Sequence, residues 1–91
     1  SHGAWAEAVR TCAARLDVPL LDVCAASTAL YEALGPGPSA RLFMHLGPGE
    51  WPGWPDGQED NTHFSWAGAA MVAQLVALLL RQSPQGVKFL P

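Results

Sequence analysis

Apolar side chains recur at Trp5, Val9, Cys12 and Leu16, with Glu7, Arg10 and Arg15 mostly elsewhere on the helical circle. This spacing predicts an amphipathic helix reaching Leu16, ended at Asp17. Val18-Pro-Leu-Leu-Asp-Val23 is apolar at successive positions. That is the pattern of a short strand covered on both faces, as in a parallel sheet. Pro19 fits its first residues, where a missing N–H matters least. Asp22 and Ser27 are both candidate caps for the next helix. Its Leu30, Tyr31 and Leu34 share a face, and Gly35 then Pro36 stop it. Pro36–Pro38 reads as a turn and Ser39–His45 as a short helix with Leu42 and Phe43 inward. Gly47–Gly57 is rich in Gly, Pro and Trp, so prolines deny it both regular structures. Ser65 caps a last helix to about Gln82, with Val72, Leu75, Val76 and Leu79 as a stripe that Met71, Leu78 and Leu80 widen. Gly68 and the alanines at 67, 69, 70 and 73 allow close packing. After Ser83-Pro-Gln-Gly, Val87–Leu90 reads as an extended end.

This order contains one convincing strand, and one strand cannot make a sheet. Left alone, it would expose backbone groups and apolar surface together. The pattern therefore predicts part of a larger α/β domain, or a chain that docks onto another supplying the sheet.

Composition narrows the partners. With 91 residues, 49% hydrophobic and 14% charged, the chain suits one small packed piece. A net charge of -3 and scattered basic residues argue against nucleic acid. Ala67–Leu80 falls short of the roughly 20 residues a membrane span takes, and Gln74 interrupts it. Ser-His-Gly-Ala-Trp shows no signal-peptide pattern, which leaves the compartment open, secreted or cytoplasmic. Cys12 and Cys24 are expected to stay unpaired. A helix followed by a returning strand leaves them roughly 13 Å apart, beyond the ~7 Å a disulfide tolerates.

Chemistry concentrates in Glu59-Asp60-Asn61-Thr62-His63-Phe64-Ser65. A carboxylate three residues before a histidine, on a loop entering a helix, can curl back to accept from Nδ1–H. Nε2 is then left as a general base for a nucleophilic hydroxyl. Taken by spacing alone, turn and cap chemistry accounts for the same residues.

Wider context shifts that balance. Asp60-Asn-Thr-His-Phe-Ser-x-x-Gly68-Ala before an apolar helix resembles the last conserved block of SGNH (GDSL) hydrolases, within them the rhamnogalacturonan acetylesterase group. Upstream, Val18-Pro-Leu-Leu-Asp22, Leu34-Gly35, Leu42-Phe43-Met-His45 and Pro55-Asp-Gly57 extend the resemblance over most of residues 4–82. It implies that residues 1–91 are the C-terminal portion of a single SGNH domain, a three-layer α/β/α sandwich of flavodoxin-like type. It also implies a Ser-His-Asp triad, in which Asp60 and His63 match the acid and base. The reaction would be deacetylation of a pectin- or rhamnogalacturonan-like acetylated carbohydrate, with no cofactor and no metal.

The departures matter equally. The Gly-Asp-Ser block, the oxyanion glycine and the Gly-x-Asn-Asp block of that family have no counterpart here. None of Ser1, Ser27, Ser39, Ser65 or Ser83 sits in such a context. The nucleophile must come from the remaining part of the domain, in the same protein or another chain. Trp51 and Trp54 fit as stacking surfaces for a substrate sugar ring, or equally as lids on apolar helix ends. His45, Asp60 and His63 form no known zinc spacing, and His2 reads as a surface residue or purification remnant. The rival to the enzyme is a non-catalytic interaction or glycan-binding module using the Trp51/Trp54 loop.

Overall fold

The computed structural model describes residues 3–91, so His2 lies outside the described residues. Helix α1 spans Gly3–Leu16, α2 Val23–Leu34 and α3 Pro36–Ala40. Strands β1, Phe43–Leu46, and β2, Gln58–Phe64, form an antiparallel ribbon. Helix α4, Trp66–Gln82, and a 3-10 turn over Gly86–Phe89 follow. The content is α/β, with the described strands confined to one ribbon.

Asp17 ends α1, as expected, in the left-handed conformation (φ 52°). Val18 N–H bonds Ala13 C=O at 2.9 Å and Asp17 N–H bonds Ala14 C=O at 3.3 Å, the paired bonds of a Schellman motif. Asp22 proves to be the cap of α2, its Oδ1 accepting from Ala25 N–H at 3.0 Å, while Ser27 lies inside the helix. Arg10 reaches the same carboxylate from α1 at 2.6 and 3.2 Å. This bidentate pair holds the Asp22 carboxyl below its ordinary pKa and ties the first two helices together.

Several expectations are corrected. Residues 18–22 form no strand, and Val23 already begins α2. A strand is completed by hydrogen bonds to a neighbour, and no described strand lies alongside this segment. Its ends are committed locally instead, Val18 to the end of α1 and Asp22 to the cap of α2. The turn at 36–38 is instead the start of α3, with Pro36 at its first position. Residues 39–45 divide between the end of α3 and β1, because Phe43 and His45 pair with β2. The segment before α4 is itself a strand for the same reason. Val87–Leu90 is mostly a 3-10 turn.

The packed centre is small. Leu42, at 5% exposure, is the buried apolar residue among those described. Tyr31 of α2 meets Phe43 edge-on, and Phe43 meets Phe64 across the ribbon, both at 5.5 Å between centroids. The predicted apolar stripe of α1 exists but is uncovered: Trp5, Val9 and Leu16 are all exposed. Cys12 is exposed and Cys24 half-buried, both as free thiols.

Candidate active site

The end of β2 and the start of α4 are locked to the residues just before β1 by one serine. Ser65 N–H donates to Leu42 C=O at 2.9 Å, and Ser65 Oγ donates to Arg41 C=O at 2.6 Å. The same Oγ accepts from Gly68 N–H at 3.1 Å, the N-cap of α4. Gly68 is buried against the Leu42 backbone, so close that a Cβ would overlap the Leu42 carbonyl. Residues immediately before Ser65 therefore have a defined position relative to β1.

The ribbon's register makes that position unusual. Phe43 pairs with Phe64, and the next pair is His45 with Glu59. Met44 alone on β1 thus faces Asp60–His63 on β2, and the surplus residues form a bulge. Inside it, Asp60 Oδ1 accepts from the N–H groups of Thr62 (2.6 Å) and His63 (3.0 Å). Its other oxygen, Oδ2, accepts from His63 Nδ1–H at 2.8 Å. Backbone N–H donation from His63 and Thr62, then the imidazole bond, lowers the Asp60 pKa to about 2. The Asp60 side chain is 17% exposed and that of His63 is 78% exposed. The acid is screened and oriented while the imidazole faces outward, its Nδ1–H fixed by the carboxylate.

None of the described serines meets His63. Ser27 and Ser39 donate to Cys24 and Pro36 carbonyls within their own turns. Ser83 bonds Gln85 and Gly86 N–H. Ser65, the nearest in sequence, is engaged as the cap.

Trp51 and Trp54 are brought together by a bridge around Pro52-Gly53, with Trp54 N–H donating to Trp51 C=O at 3.0 Å. Glu50 closes the loop by accepting from Gly47 N–H at 2.7 Å. Both indoles are partly exposed. They border a cavity of ≈ 690 Å³ together with Arg41, His45, Glu50 and Trp66. Asp60 and His63 do not line it. Trp66, 88% exposed at the first position of α4, was not singled out by sequence reasoning. Its signal was a bulky aromatic where a helix begins and a small or polar residue would serve. His45 turns its Nε2 to Asn61 rather than to Asp60 or His63. Among the described residues no group of three or more His, Cys, Asp and Glu is placed to hold a metal ion. No helix among them is long and apolar enough to cross a membrane.

No family model matches the chain, and no solved structure gives a significant match. Among curated proteins, it is 52% identical over 75 residues to the rhamnogalacturonan acetylesterase RhgT of Bacillus subtilis (strain 168). The match covers 82% of this chain, which spans about a third (32%) of that relative's length. Over four fifths of its own length (82%), the chain is thus similar to a rhamnogalacturonan acetylesterase.

Proposed function

We propose that this chain contributes the acid and base of a Ser-His-Asp triad to a serine ester hydrolase of the SGNH type. Its substrate is an acetylated, pectin- or rhamnogalacturonan-like carbohydrate. The observation that carries this reading is the Asp60–His63 Nδ1 bond of 2.8 Å on an exposed bulge, with every described serine occupied elsewhere. A base oriented by a buried-side acid and lacking its own nucleophile is half of a relay. The other half, serine and oxyanion donors, belongs to the remainder of a three-layer α/β/α domain. The relative's name supports the ester and carbohydrate chemistry.

In that domain the serine Oγ attacks the acetyl carbonyl while His63 Nε2 takes its proton. The tetrahedral intermediate collapses as His63 returns the proton to the departing sugar oxygen, leaving an acetyl-serine. Water, deprotonated by His63, then releases acetate. Asp60 keeps Nδ1 protonated and stabilises the imidazolium formed in each half-reaction. Trp51, Trp54 and Trp66 offer flat apolar faces on which sugar rings stack beside the reacting acetyl group.

Assay of the full-length protein with a small acetyl ester and with acetylated rhamnogalacturonan tests the reading. We expect turnover of both. His63→Ala should abolish it, and Asp60→Asn should lower kcat on the order of 10⁴-fold, as loss of the triad acid does in serine proteases. Full activity in either variant would refute the assignment. The exposure of Trp51 (49%) and Trp54 (40%) keeps one second reading alive, a non-catalytic glycan-binding module. Glycan binding by a full-length protein without any esterase turnover would select it.

A further inference from the structure

The bulge that carries Asp60 and His63 has an internal set of bonds and one side-chain tie to the opposite strand. All three bonds of Asp60 close within residues 60–63. They shape the turn but do not fix its angle to the ribbon. The tie is His45 on β1, whose Nε2–H donates to Asn61 Oδ1 at 2.6 Å. Asn61 sits between the acid and the base, so this bond holds the middle of the block against β1. His45 is half-buried, paired in register with Glu59, and also borders the aromatic cavity.

We propose that His45, acting through Asn61, is a positioning residue for the Asp60–His63 pair. It sets where His63 Nε2 points without touching the reacting atoms. The proposal rests on the esterase reading for its kinetic consequence, but not for its structural one. Misplacing a base by about 1 Å costs up to on the order of 100-fold in rate. The bond also explains a polar pair on a ribbon whose neighbouring cross-strand pair is Phe43–Phe64.

The test uses the full-length protein and four variants: His45→Ala, His45→Gln, Asn61→Ala and the double variant His45→Ala/Asn61→Ala. The Gln amide nitrogen occupies nearly the place of Nε2 and can remake the bond. With a small acetyl ester, which has no sugar ring to stack in the aromatic cavity, His45→Ala is expected to lower kcat about 10- to 100-fold and leave KM unchanged. His45→Gln should recover most of kcat. Asn61→Ala should match His45→Ala, and the double variant should be no worse than either single, since both remove one bond. In parallel, the His63 Nδ1–H proton resonance should be sharp in the wild type and His45→Gln and broadened in His45→Ala. Wild-type kcat in His45→Ala, a change confined to KM, or no recovery in a folded His45→Gln would overturn the proposal. If His45→Ala does not fold, His45→Gln and Asn61→Ala decide by the same readouts. A wild type without turnover would defeat the esterase reading alone, and the resonance would then decide the positioning role. An unchanged resonance in His45→Ala would overturn it.

Discussion

Asp60 accepts from two backbone N–H groups and one imidazole, all within three residues of itself. This explains both its orientation and its acidity. Its pKa falls from an ordinary 3.8 to about 2 in the folded chain. Because the folded value is the lower one, the ionised carboxylate favours the fold. That contribution is complete above about pH 4 and is lost as pH falls through the folded value, about 2. Following the Asp60 carboxyl carbon by NMR during acid titration should give a midpoint near 2 rather than 3.8. A midpoint at the ordinary value would mean that the turn is open in solution. Ser65 is the residue most easily mistaken for a nucleophile, and its contacts say otherwise. Ser65→Ala removes the α4 cap and the tie to Arg41, so it should cost about 1 kcal/mol of stability. Acyl-enzyme formation by the full-length variant should persist. Its complete loss with folding intact would make Ser65 the attacking group.

At the scale of elements, the site depends on α4 lying close against the chain before β1. Gly68 permits this, since its Cα faces the Leu42 carbonyl directly. Gly68→Ala should push the α4 N-terminus away and destabilise the protein by about 1–3 kcal/mol. Activity should fall by more than the unfolded fraction accounts for, because Ser65 and the bulge move with the helix. Thermal melting combined with kcat separates the two effects. A variant with wild-type melting temperature and wild-type kcat would show that the contact is looser than described. Gly57 has the matching role at the other end of the ribbon. Its positive φ of 84° and its closeness to the Leu46 carbonyl let the chain leave the tryptophan loop and enter β2 in register.

At the scale of the molecule, the chain is too open for its length. Its radius of gyration is 16.0 Å, against roughly 12 Å for a compact domain of this size. Its accessible surface is 6921 Å², against roughly 5,100 Å² for a folded monomer of equal mass. Large apolar side chains contribute to it, among them Trp5, Val9, Leu16, Val18 and Leu20. Surface of this kind is covered in stable proteins. The 91-residue chain alone is therefore expected to self-associate or melt without cooperativity, and to show no turnover of acetyl esters. Gel filtration, circular dichroism melting and an ester assay check this together. A monodisperse, cooperatively melting monomer would overturn the expectation of a larger domain. Turnover abolished by His63→Ala would reveal a nucleophile within the chain.

The local features were legible in sequence because their causes are local. Helices satisfy their own backbone bonds, so 3.6-residue periodicity with Asp22 or Ser27 and Ser65 as candidate caps was enough to find α2 and α4. Asp-x-x-His likewise closes on itself within one turn, and the spacing of Asp60 and His63 predicted the bond that forms. Strands are different, because their partners lie elsewhere in the chain. Apolar Val18–Val23 looked like a strand and forms none among the described residues, whereas Phe43–His45, read as the end of a short helix, lies in one. Only the pairing of Phe43 with Phe64 and His45 with Glu59 decided where the Asp60–His63 segment would bulge. The same pairing brought His45 to Asn61, and the ribbon and α4 set Trp66 beside Trp51 and Trp54. Sequence determined which groups could bond to near neighbours, and tertiary structure decided which distant ones share a surface.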